Sequence, residues 1–179
     1  MNDFNDSILT FEALSKPKLP PFFPVSPTKL FLLSVCSFGL YELYWFYKNW
    51  RLIQVRELLD VNPFLRAFFA FFFCYQVFTR IRDYPTKARA NEKLLAGFLT
   101  TAWVVTTLTW RLPDPFWMIS ILAGVFMVPV QIAAQAINSE IAPDFDQNKR
   151  FSAANWIVLG IGGTLILLTI LGMHKEGVL

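Results

Sequence analysis

Glu42 lies within Y-E-L-Y-W-F-Y-K, where its neighbours are aromatic or apolar and a bare charge is expensive. A carboxylate in such a run does one of two things. It binds and releases a proton or cation along a path, or it sits at the bilayer boundary and is neutralised there. Tyr41, Tyr44 and Tyr47 are nearby hydrogen-bond donors, and Arg66 or Lys48 is the expected counter-ion. The boundary role is the one expected here.

A second group surrounds Pro129. Gln131 and Gln135 are four residues apart and Asn138 follows three later, so a helix places all three amides on one face. Pro129 has no N–H to offer the Val125 carbonyl, which predicts a helix kink and a free acceptor. A kinked helix with a polar stripe can line a substrate path. Amides of this kind also hold membrane helices together, and that is the expectation here.

Other chemistry lacks its residues. His174 is the only histidine, which leaves no material for a paired-histidine metal site or a Ser-His-Asp triad. Glu140, Asp144 and Asp146 precede Lys149 and Arg150 without the spacing of a calcium loop, so they read as a solvated loop. Gly160, Gly162 and Gly163 lie in an apolar stretch with no strand or lysine beside them. That context suits close helix packing rather than phosphate binding. The expectation is no catalytic residue, no cofactor, no metal and, on balance, no enzyme.

The elements that carry these residues must be membrane elements. Of 179 residues, 55% are hydrophobic, 16% are charged and 19 are Phe; the mean hydropathy is +0.44. A soluble domain of this size has too little interior to hide so much apolar side chain. The net charge of +3 is spread beside apolar segments rather than gathered on a basic face, so nucleic acid is not an expected partner. Cys36 and Cys74 both fall in apolar segments, where free thiols are expected.

The predicted fold is an all-α integral membrane protein of one membrane domain, residues 29–179, behind a flexible proline-rich leader, residues 1–28. Three transmembrane helices are expected, at 94–110, 115–137 and 155–173, near the roughly 20 residues that span hydrocarbon. The R-L-P-D-P run makes the turn between the first two, and Ser152 is the expected N-cap of the third. Segments 30–47 and 64–79 are expected to be embedded without crossing; five transmembrane helices is the alternative. Gly39 predicts a bend in the first of them. The box Gly39, Tyr41, Tyr44, Trp45, Tyr47, Lys48, Trp50 and Arg51 would then lie along the interface as an aromatic and basic belt.

Three crossings leave fourteen of the 16 Lys and Arg on one side, opposed by Arg111 and Lys175, which fits the positive-inside bias better than five crossings do. Loops 80–93 and 138–154 are therefore expected in the cytoplasm and the C-terminus in the periplasm.

G-L-Y-E-L-Y-W-F-Y-K, residues Gly39–Lys48, resembles a broad group of small uncharacterised bacterial inner-membrane proteins. Their mark is an N-terminal box G-[IL]-Y-x-[IL]-Y-W-x-Y-[KR]. The likeness is strongest over about residues 25–82, and the P-V-Q-I-A-A-Q-A-I-N-S-E-I-A-P-D-F-D-Q-N-K-R-F-S-A-A-N-W stretch is similar to the longer members. The resemblance implies a bacterial inner-membrane setting and brings no activity with it.

The expected function is a non-catalytic membrane module, acting as scaffold, assembly factor or accessory subunit. Its partners would be the lipid bilayer and either a membrane protein or further copies of the chain. A small oligomeric transporter or channel, and a lipid-binding or membrane-shaping protein, are the alternatives.

Overall fold

The structure, a computed structural model, describes residues 19–87 and 91–177. Among these there are helices and no strands. The leader as far as residue 18 lies outside the described residues.

Residues 19–26 run extended into α1, Pro27–Cys36. Ser26 caps α1 by accepting from the Lys29 N–H at 3.2 Å, and Pro27 fills the first turn, where its missing N–H costs nothing. The chain then breaks. Phe38 and Gly39 adopt φ values of 52° and 86°, a left-handed conformation that stops one helix and re-aims the next. α2 runs from Leu40 to Glu57, ten residues past the end expected for this segment, so the aromatic box is continuous helix.

Asn62 caps α3, Pro63–Phe68, with Pro63 in the first turn, and α4 follows from Ala70 to Arg82. The Phe-rich 64–79 segment is thus two short helices hinged at Phe69 (φ −93°, ψ 39°). Asn91 closes the far end of α4, donating to the Ile81, Arg82 and Tyr84 carbonyls at 2.7–2.9 Å.

α5, Ala96–Leu108, gives way to a 3-10 turn, Thr109–Arg111, and then to the proline hairpin. The chain returns as a 12-residue 3-10 helix, Phe116–Met127, which continues into α6, Val128–Ile141. The return segment packs along α5 and α1. α7 spans Ala153–Lys175 behind the Ser152 cap, which forms a reciprocal box with Asn155.

Two helical stretches are long and apolar enough to cross a membrane: Phe116–Ile141 (26 residues, mean hydropathy 2.0) and Ala153–Lys175 (23 residues, 2.2). The expected third, 94–110, falls short. Leu94 and Leu95 precede the helix, and the 13 residues of α5 with the three of its 3-10 turn make about 26 Å of helix at 1.5 and 2.0 Å per residue, less than the roughly 30 Å hydrocarbon core.

The core lies where α2, α4, α5 and α6 converge on the strap 22–25. Trp45, Phe46, Trp50, Cys74, Phe78, Met127 and Val130 are fully enclosed there. Trp45 meets Phe46 and Phe78 edge-on, and Phe46 stacks on Phe78 at 6.1 Å. The two tryptophans of the expected belt are turned inward, Trp45 and Trp50 at 0% exposure, while Tyr41, Tyr47 and Lys48 are half-buried and Tyr44 and Arg51 face out. Helical periodicity explains this, because Trp45, Phe46, Asn49, Trp50 and Ile53 share the inner face of α2.

Candidate functional site

The break at Gly39 sets Glu42 in the first turn of α2, with its carboxylate turned towards α1, α5 and the 3-10 helix. Glu42 is 3% exposed. Its Oε2 accepts from the Trp103 indole N–H at 2.6 Å. Among the described residues its Oε1 has no hydrogen-bond partner, and neither does the enclosed Ser34 hydroxyl.

Gly124 makes this arrangement possible. A Cβ there would stand 2.8 Å from Ser34 Cβ, 3.0 Å from Glu42 Oε1 and 3.1 Å from Ser34 Oγ. Only a residue without a side chain lets the 3-10 helix close over the carboxylate.

The expected counter-ions are elsewhere. The Arg66 guanidinium stacks on Trp50 at 4.4 Å and donates to Gln76 Oε1 at 3.0 Å. The Lys48 ammonium lies over Tyr44 (5.6 Å) and Phe23 (5.9 Å). Among the described residues the donor to Glu42 is Trp103, not a tyrosine of the box. A tryptophan 61 positions away carries no local signal, so spacing could not reveal it.

The amide stripe does part of what was expected, tying α6 to α2 through Gln131, and adds a use that was not, holding the extended strap. Gln131 donates to the Val25 carbonyl at 2.8 Å and the Phe23 carbonyl at 3.3 Å, and accepts from the Trp45 indole at 2.6 Å. Asn138 pairs with both backbone groups of Phe22: Oδ1 accepts its N–H at 3.0 Å and Nδ2 donates to its carbonyl at 2.9 Å. Asn49, a residue the sequence reading passed over, accepts the Phe23 N–H at 3.0 Å.

These three side chains serve the strap as a neighbouring β-strand would. An extended backbone buried among apolar helices has no ladder of its own, and each unpaired N–H or carbonyl would be costly. The strap is thus an interior element held by Asn49, Gln131 and Asn138, in place of a surface leader. Gln135 is not in this group. It faces the following loop and donates to Gln147 Oε1 at 2.9 Å.

Pro129 lies in the first turn of α6, at the junction with the 3-10 helix, and does not kink a continuous α-helix. The Val125 carbonyl is not free, because the Val128 N–H takes it with 3-10 spacing. Proline is tolerated there because the first-turn N–H groups have no intrahelical acceptor.

Lys29 is a further buried group that spacing did not reveal. At 3% exposure, its ammonium donates to Asn148 Oδ1 and the Arg150 carbonyl, each at 2.8 Å, and ties α1 to the 142–152 loop. Burial lowers its pKa from the ordinary lysine value, and the charge of Asp146 opposes that shift. In the last turn of α6, Glu140 accepts from the Lys87 N–H at 2.9 Å. Cys36 and Cys74 are free thiols.

Compared with family models, curated proteins and solved structures, the chain finds no match in any of the three.

Proposed function

We propose that this chain is a non-catalytic module of the bacterial inner membrane that docks a membrane-protein partner, or further copies of itself, along α7. One observation carries the reading. Across its 23 residues α7 buries only Gly162 and Met173. Its main contact is with α1, where Gly162 lies so close to the Cys36 carbonyl that an added Cβ would collide with it.

Most of the rest of α7 is exposed, including Gly160 and Gly163, where an added Cβ meets nothing within 4 Å. Lipid covers such a surface adequately, but small residues also let a second backbone approach and gain dispersion contacts. α7 already packs that way on its Gly162 side.

In this reading the Phe116–Ile141 and Ala153–Lys175 helices cross, and the 94–110 segment forms a third crossing beside the first. The N-terminal third stays in the cytoplasmic half of the bilayer. Loops 80–93 and 138–154 face the cytoplasm, and the proline hairpin and C-terminus face the periplasm. Support comes from the 10-residue length of α1, its break at Gly39, and the five charges along α2. A transporter is favoured by one feature alone, the unpartnered Glu42 Oε1 beside Ser34. Gln131 and Asn138 are occupied by the strap and line no path.

The test is purification in mild detergent with mass determination by light scattering. The native chain should carry a stoichiometric partner or self-associate, and the double variant Gly160→Leu, Gly163→Leu should run as a folded monomer. A native chain that is strictly monomeric and alone would overturn the reading. Proteoliposome flux abolished by Glu42→Gln would favour the transporter instead.

A further inference from the structure

Lys48, Arg51, Leu52, Val55 and Arg56 fall at i, i+3, i+4, i+7 and i+8 of α2, so they share one helical face. That face forms a wall of a half-open groove of about 630 Å³. Pro20 and Pro24 of the strap close one side, and Ile141 and Phe145 close the other. The lining combines apolar side chains with three cations, and among the described residues no carboxylate contributes to it.

The three cations are not equally committed. Arg56 donates to the Pro21 carbonyl at 2.6 Å, pairs with Glu57 at 3.2 Å and stacks on Phe22 at 4.9 Å. It is part of the wall. Among the described residues, Lys48 and Arg51 have no carboxylate within ion-pair distance, and Arg51 is exposed. Val55, between them and Arg56, is 70% exposed to the groove side of the helix.

We propose that this groove is a binding site for one anionic phospholipid, with its phosphate against Lys48 and Arg51 and an acyl chain along Leu52, Val55 and Ile141. Each feature excludes a simpler occupant. A free inorganic anion leaves the apolar lining wet, and a zwitterionic lipid brings a cationic group to a groove that already carries three positive charges. An acyl chain covers the apolar lining while the phosphate neutralises two cations that, among the described residues, have no carboxylate partner. Basic pockets at the cytoplasmic end of membrane helices hold anionic headgroups by this combination of charge and apolar contact. The volume lies within the roughly 300–1,000 Å³ of small-molecule sites, enough for a headgroup and the upper part of a chain. The site is independent of the α7 surface, so it stands or falls separately from partner docking.

Native mass spectrometry of the delipidated full-length protein, titrated with dioleoylphosphatidylglycerol or dioleoylphosphatidylcholine, tests it. One tightly held phosphatidylglycerol is expected, with phosphatidylcholine at least ten-fold weaker. The double variant Lys48→Gln, Arg51→Gln should lose about ten-fold or more in phosphatidylglycerol retention. Val55→Trp, which fills the groove and keeps every charge, should also weaken it. Arg111→Gln, a cation at the opposite end of α5, should leave retention unchanged. Equal retention of the two lipids, an unaffected double variant, or an equal loss in Arg111→Gln would each overturn the site. Circular dichroism of each variant confirms that a loss is not unfolding.

Discussion

At the scale of single residues, the amides that hold the strap matter most. Replacing Gln131 with Leu keeps the volume but leaves the Trp45 indole N–H and the Val25 carbonyl without partners inside the protein. Each unpaired buried group costs about 1–3 kcal/mol, so Gln131→Leu should lower thermal stability in detergent by several degrees. Asn138→Leu strips both backbone groups of Phe22 and should add a local effect. The strap should loosen, and limited proteolysis by chymotrypsin should cut after Phe22, which is enclosed in the native chain; the bond after Phe23 precedes Pro24 and stays intact. Gln135→Leu removes one contact to a loop and should change neither readout. Equal cutting in all three variants would refute the clamp.

Glu42 belongs to the same scale, and Gly124 is its sharpest probe. Gly124→Ala inserts a methyl group into a gap already filled by Ser34 and the Glu42 carboxylate. Overpacking of this kind costs about 1–3 kcal/mol, whereas Gly97→Ala, which meets nothing within 4 Å, should be neutral or mildly stabilising. Thermal melts of the two variants side by side check the claim.

At the scale of elements, the two faces of α7 make opposite predictions from one residue type. Gly162→Ala would drive its Cβ into the Cys36 carbonyl, a backbone group that cannot rotate away, so α7 must separate from α1. Gly163→Ala meets open space. The first variant should melt lower and expose the Cys36 thiol to a maleimide, and the second should do neither. Composition showed that α7 packs through glycine. Nothing in G-I-G-G says which glycine faces α1, because that depends on how one helix is rotated against another.

The junction at Pro129 follows the same logic. The proline is visible in the sequence, and the irregularity near it was expected. Its form was not, because a preceding 3-10 helix of 12 residues is uncommon and no breaker in F-W-M-I-S-I-L-A-G-V-F-M announces it. The hinge at Phe69 is equally silent in sequence, since phenylalanine there differs in nothing from its neighbours.

At the scale of the whole molecule, the disposition towards the bilayer can be mapped with single cysteines in a background lacking Cys36 and Cys74. Leu58 is 90% exposed at the end of α2, and Asp144 lies exposed in the loop after α6. Cysteines at both positions should react with a membrane-impermeant reagent only after permeabilisation. Cysteines replacing Leu112 in the hairpin and Glu176 after α7 should react in intact cells. Reaction of residue 58 from outside would place the N-terminal third across the bilayer and favour five crossings.

The sequence by itself determined the all-helical class, two helices fit to span a membrane, the break at Gly39 and the Ser152 cap. Each of these is set by local composition, or by a residue whose backbone freedom or side-chain reach acts within one turn. Tertiary structure alone decided that Trp45 and Trp50 face inward, that Trp103 rather than an arginine meets Glu42, and that the amides of α6 bind an extended strap more than a hundred positions earlier. Hydrogen-bond partners distant in the chain are chosen by how helices rotate and pack against one another, and periodicity along one strand of sequence carries no record of that choice.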